Sequence, residues 1–246
     1  MITVIGTGHV FNLSTAIMST LTKIRPDMVC VELDQQRYNA LIRRNSSISC
    51  NEGVSSTPPV YKLLSKFQEN IAKEYGVKSG DEMLTAIDYA HNAQIHIELI
   101  DMNAQQLFTH MWSSMSFIEK IRLLFGSLFG GFFITRKRIE KELENFQENY
   151  ESYIKEISKK FPTIKKTLID DRNKHMANRL IQLNEDYSNI AVLVGDGHIS
   201  GMAKLLRFKK IEFKIIRLKE LRDNDNINDS STRETYSFTT EYKPPS

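Results

Sequence analysis

Four things are scarce or missing in this chain, and each closes off a class of function. Cysteine occurs twice, as Cys30 and Cys50, too few for a disulfide framework. Cys30 lies inside an apolar run and is expected to be a buried small hydrophobe, and nothing points to an oxidising compartment. An excess of charge is missing too. With 33 basic and 30 acidic residues the formal net charge is +3, and the basic residues are scattered. No nucleic-acid partner is therefore expected. There is no long hydrophobic run. The longest, residues 123–134 (LLFGSLFGGFFI), is interrupted by three glycines and is shorter than the ~20 residues that cross a bilayer. It reads as a buried or interfacial segment of a soluble chain. The opening Met1-Ile2-Thr3-Val4-Ile5 reads as a strand rather than a basic leader. Finally, a complete Gly-x-Gly-x-x-Gly is missing. Phe11 and Ser200 stand where the third glycine of two partial copies would be, so the dinucleotide fingerprint fails twice.

What is present is an ordinary globular composition, 41% hydrophobic and 26% charged. Short β-branched runs recur at 2–5, 28–33, 95–100, 190–194 and 213–218, separated by helical patterns. The run 190–194 is apolar at every position, as expected of a strand covered on both faces. An α/β domain with a central, largely parallel sheet flanked by helices follows from this alternation. Helices are expected at 13–24, at 61–75, and from a capping Asp81 to about Asn92. A seam of Ile139, Leu143, Phe146, Tyr150, Tyr153 or Ile154, Ile157 and Phe161 predicts a long helix over 136–161. It packs on a neighbour or supports a homodimer. Pro162 suits the first turn of a further helix reaching about Leu183. Residues 104–185 thus read as a helical insertion within one domain of residues 1–221. Asn45–Pro59 reads as a surface loop or a lid, and 222–246 as a disordered polar tail.

Two segments carry the chemistry. Ile2–Ile5 is followed by Gly6-Thr7-Gly8-His9, and Ile190–Val194 by Gly195-Asp196-Gly197-His198. Each is a strand, then Gly-x-Gly-His, then a helical pattern. Ligands of parallel α/β sheets bind beyond the carboxyl ends of the strands. Glycines there let a ligand approach the backbone, so Gly8 and Gly197 are candidate substrate contacts. The two motifs are expected to meet, with His9 and His198 sharing a metal or catalytic role, since neutral imidazole is both ligand and base. Glu32 stands in an otherwise apolar strand end, where a carboxylate needs a partner or a metal. Asp34 is placed to cap the next helix or face substrate. Arg37 pairs with Glu32 or Asp34, or binds an anionic group. Two histidines and a carboxylate form a ligand set of catalytic divalent-metal sites. Arg172 falls on an apolar helical side with Leu168, Ile169, Met176, Leu180 and Leu183. It either reaches Glu32 or a substrate oxyanion or snorkels from a helix end. Asp171 lies on its flank, placed to orient Arg172 or a histidine. Asp101 ends a strand and either lines the pocket or caps a helix. His91, His96, His110 and His175 lack motif context, and Trp112 reads as packing.

GTGHV at 6–10, PDMVCVELDQQR at 26–37, GVKSGDEMLTAIDYA at 76–90, LIDMN at 99–103, DDRNKHMANRL at 170–180 and VGDGHISGM at 194–202 together resemble the TraB/PrgY family. That family includes pheromone-shutdown proteins, and it is more distantly similar to the Tiki metalloproteases and the erythromycin esterases. The resemblance spans residues 2–218. It implies a Tiki/erythromycin-esterase-like fold with a helical insertion. His9, His198 and Glu32 would hold a divalent ion such as Mn²⁺, Co²⁺ or Zn²⁺, with Arg172 or Arg37 stabilising an oxyanion. Glu32 is alternatively the general base. The activity implied is hydrolysis, with a peptide or protein amino terminus as substrate. Sequestration of a peptide without cleavage, and metal-free hydrolysis with a histidine base, stay open beside it. The chain departs from the family in reading Asp171-Arg172-Asn173 where Glu-Arg-Asp is typical. Longer prokaryotic members also carry hydrophobic carboxyl-terminal segments, so membrane association of an otherwise cytoplasmic chain is implied by the family alone.

Overall fold

A computed structural model describes residues 1–8, 13–45, 80–130, 150–228 and 240–244. The strands are β1 (Ile2–Thr7), β2 (Met28–Val31), β3 (His96–Leu99), β4 (Ile190–Gly195), β5 (Phe213–Ile216) and β6 (Thr240–Tyr242). The described helices are α1 (Ser14–Ile24), α2 (Gln35–Asn45), α3 (Asp81–Ala93), α4 (Ala104–Ser114), α5 (Phe117–Gly130), α6 (Tyr150–Lys160), the short α7 (Pro162–Lys165), α8 (Arg172–Asp186), α9 (Asp196–Phe208) and α10 (Leu218–Asn228). A π-helical segment, Lys166–Asp171, joins α7 to α8.

The sheet runs β3-β2-β4-β1-β5-β6. Its pairings are parallel except β5 with β6. Strand periodicity of two divides each strand between two cores. Ile2, Val4, Met28, Cys30, Val192 and Val194 face α8 and α9, through Met176, Leu180, Ile199 and Met202. Ile5, Val29, Val31, Ala191 and Leu193 face α1, α3 and α10, through Ile17, Leu21, Met83, Ile87 and Leu221. With both faces covered, central strands are apolar at successive positions. Burial also pushes the Cys30 thiol up, away from reactivity.

β1 and β4 are neighbours. The helix leaving β1 covers one face and the helix leaving β4 covers the other. This is the topological switch point at which parallel α/β sheets open a crevice.

Three expectations change. The sequence predicts a disordered tail from 222, yet α10 continues to Asn228 and residues 240–242 add an antiparallel edge strand. Tyr242 stacks on Phe213 with ring centroids 5.4 Å apart, a tertiary contact that supplies the apolar partner a polar segment lacks. Asp81 does not cap α3. Gly80 does, at φ +90, a left-handed position that suits glycine, and Asp81 in the first turn accepts from Arg44 at 2.9 Å. The helix expected from Pro162 to Leu183 is broken by the π-helical segment and ends at Asp186. The expected helix at 61–75, the loop at Asn45–Pro59 beyond α2, and the first part of the seam over 136–161 lie outside the described residues. No described helix is long and apolar enough to cross a membrane.

Candidate functional site

The register Gly6↔Val194 and Thr7↔Gly195 sets the two Gly-x-Gly turns side by side. They also touch. A Cβ on Gly6 would lie 2.3 Å from Asp196 Oδ1, so the glycine of the first motif makes room for the acid of the second. Asp196 in turn accepts from Arg217 Nε at 3.0 Å and from the Leu218 amide at 2.9 Å, tying the β4–α9 junction to the start of α10. His9 lies outside the described residues. His198 lies in the first turn of α9 rather than in a loop, and it is buried.

The side chain at the centre is Arg172, the first residue of α8. A helix that precedes a parallel strand begins near the strands' carboxyl ends, which brings Arg172 to the rim. Its Nη2 donates to Asp101 Oδ2 at 2.6 Å and its Nε to Asp101 Oδ1 at 2.9 Å. Nη2 also pairs with Glu32 Oε1. Nη1 lies 3.1 Å from His198 Nε2. The second oxygen of Glu32 accepts from the Gly195 amide at 2.6 Å. Arg37 pairs with Asp101 and donates from Nε to Asp34 Oδ2 at 2.8 Å. Thus Asp34, Arg37, Asp101, Arg172 and Glu32 alternate in sign. Three carboxylates against two guanidiniums leave one net negative charge.

Burial works to raise the Asp101 carboxyl, but the hydrogen bonds and charge of Arg172, with Arg37 behind it, hold it down at about 2. Burial likewise opposes ionisation of Glu32. Attraction to a protonated His198 and to Arg172, with the Gly195 amide, leaves it below its ordinary value. Two features compete at His198. A proton on Nε2 would favour Glu32 Oε1 at 3.5 Å, yet it would set two donors 3.1 Å apart. Guanidinium has no acceptor, and the Arg172 contact is the shorter. The shorter contact favours an acceptor Nε2 and a neutral ring, in which state Glu32 is held down by Arg172 and the Gly195 amide without the histidine's charge.

The sequence candidates sort cleanly. Glu32, Asp101, Arg172 and His198 converge, and Arg37 joins through Asp101 rather than Glu32. Asp101 lines the site and does not cap α4, whose cap is Asn103. Asp34 caps α2, accepting from the amides of Gln36 at 2.8 Å and Arg37 at 3.0 Å, and takes the Ala104 amide as well. Asp171 orients neither Arg172 nor a histidine. It pairs with Lys166 at 2.7 Å. The π-helical turn, with its i→i+5 bonds, shifts the phase of the helix. The buried stripe of α8 is Asn173, Met176, Ala177, Leu180 and Leu183, with Arg172 at its edge. Asn173 joins the site as well, and its signal in the sequence is a polar amide in step with that stripe. Gly8 ends the described part of the first turn, and Gly197 lies in the first turn of α9.

Glu32 Oε1 and His198 Nε2 are 3.5 Å apart, near the separation of two ligands each ~2.0–2.1 Å from a tetrahedral ion. Both atoms nevertheless face Arg172. As arranged, the guanidinium stands against both atoms, where a cation held by Glu32 and His198 would lie. No group of three or more metal-ligating side chains forms among the described residues.

Residues 1–214 match the model of the TraB/PrgY/gumN family. The chain belongs to that family. It is 30% identical to the uncharacterized protein MJ1365 of Methanocaldococcus jannaschii over 214 residues, 85% of this chain and 53% of that protein. It is 24% identical to the TraB domain-containing proteins of Bos taurus and Homo sapiens over 233 residues, 82% of this chain and 61% of each. The chain thus spans about half to three-fifths of the length of these relatives.

Proposed function

We propose that this chain is a hydrolase of carbonyl compounds, with a peptide as substrate, and that its site works without a resident metal. The observation that supports this is the contact of Arg172 with His198 Nε2, made by a guanidinium held by two buried carboxylates. When a water displaces the Arg172 Nη1 contact, the freed lone pair on Nε2 of the neutral imidazole is a general base for that water. A fixed guanidinium beside it stabilises the oxyanion formed when that water adds to a carbonyl. Glu32 and Asp101 hold Arg172 in place beside the ring. Arg37 holds Asp101 from behind.

A second reading is supported by the 3.5 Å spacing of Glu32 Oε1 and His198 Nε2. Here a divalent ion bound by His9, His198 and Glu32 replaces the guanidinium. A third is retention of the peptide uncut.

One experiment separates them. Candidate peptides are incubated with the protein after exhaustive chelation, and products are read by mass spectrometry. Products after chelation support the metal-free hydrolase. Products only on adding Mn²⁺, Co²⁺ or Zn²⁺ favour the metal reading. Intact peptide that co-purifies favours sequestration.

A further inference from the structure

We infer that Asn173 is a positioning residue that fixes the ring of His198, and that Gly201 is the socket that makes this possible. The inference deepens the hydrolase reading but is measured independently of it. Asn173 is buried at 4% exposure, and its Oδ1 lies 2.8 Å from His198 Nδ1. On the far side of the ring, Nε2 faces Arg172. Since Arg172 only donates, Nε2 accepts, and a neutral ring then carries its proton on Nδ1. Asn173 Oδ1 is the acceptor for that proton. The two contacts specify one tautomer from opposite sides, and each would be lost in the other.

The amide is held by α9. A Cβ on Gly201 would lie 2.1 Å from Asn173 Nδ2 and 2.9 Å from its Cγ. The Asn173 side chain therefore rests on the helix backbone at residue 201, one turn beyond His198. Glycine inside a helix costs about 1 kcal/mol relative to alanine, and this close approach explains why it stands there. In this arrangement the NH₂ end of the amide lies in the gap that glycine leaves and the oxygen faces the ring. Arg172 and Asn173 are consecutive residues of α8, so a single helix start grips both nitrogens of the histidine.

The test is ¹⁵N-labelled histidine with long-range ¹H–¹⁵N correlation at neutral pH. The His198 signal is assigned by its loss in His198→Gln. The wild-type ring is expected in the Nδ1–H form. Asn173→Ala and Gly201→Val should each give a mixed or inverted tautomer pattern, while Asn173→Asp, which keeps the acceptor, should retain Nδ1–H. A wild-type ring in the Nε2–H form overturns the inference without any variant. So does an unchanged pure Nδ1–H pattern in Asn173→Ala. Where peptide hydrolysis is detected, Asn173→Ala should lower kcat on the order of 100-fold with little change in KM, because a wrong tautomer removes the base rather than the binding surface. Absence of hydrolysis in every variant would count against the functional reading and leave the tautomer result standing.

Discussion

Two buried carboxylates in this molecule meet the same physical demand in opposite ways. Glu119, in the helical insertion, accepts from the amide and hydroxyl of Ser116, each at 3.0 Å, and from the amide and hydroxyl of Thr163, each at 2.9 Å. Burial opposes its charge, and these neutral donors outweigh that and lower its pKa. It staples the α4–α5 turn to the start of α7. Glu32 instead accepts from one backbone amide and shares a guanidinium with Asp101 beside a histidine. A carboxylate satisfied by neutral local donors is a structural cap. One satisfied by a guanidinium from a distant segment, beside a histidine, has charged partners that a substrate can also engage, and that distinguishes a site from a staple.

The sharpest way to break the comparison is to remove the shared cation. Arg172→Met leaves Glu32 buried without its guanidinium and Asp101 with Arg37 alone. It should cost about 3–5 kcal/mol, read as a lower urea midpoint, and any hydrolytic activity should vanish with it. Arg172→Lys should fall between, since a point charge cannot grip two carboxylates as a fork does.

Next is the acid response of Asp101. Its folded-state pKa of about 2 lies below the ordinary 3.8. The ionised form therefore stabilises the fold fully above about pH 5, and that contribution is lost as pH falls through 4 toward 2. The difference is worth roughly 2–3 kcal/mol. Asp101→Asn should flatten the stability profile over that window, whereas a profile as steep as wild type would mean Asp101 is not the group responsible.

Glu119→Gln should cost about 1–2 kcal/mol, measured by chemical denaturation, with turnover per folded molecule unchanged. A loss of activity larger than the loss of folded protein would dissolve the contrast between staple and site. The smallest effect belongs to Asp171, which flanks Arg172 in sequence but pairs outward with Lys166, a mostly exposed partner. Asp171→Ala should change stability by less than about 1 kcal/mol and leave activity alone.

Much of this was readable along the chain because it depends on local pattern. The runs at 2–5, 28–33, 95–100, 190–194 and 213–218 mark the five parallel strands to within one or two residues, since periodicity and β-branching survive any packing. Glu32 and Arg172 stood out as charges in apolar surroundings, and their pairing was one of the stated alternatives. Three features were not readable. β6 depends on an edge that β5 offers only in three dimensions. The outward turn of Asp171 depends on a π-helical phase shift that a uniform 100° per residue cannot represent. The role of Asn173 depends on α9 approaching α8 at Gly201.

The sequence by itself determined the class of fold and the residue types at the rim, because hydrophobic period and misplaced charge are properties of neighbours along the chain. Only the tertiary structure decided which charge meets which. Asp101 and not Asp171 holds Arg172, and Asn173 holds His198, because hydrogen bonds depend on distances between segments that the chain's order leaves open.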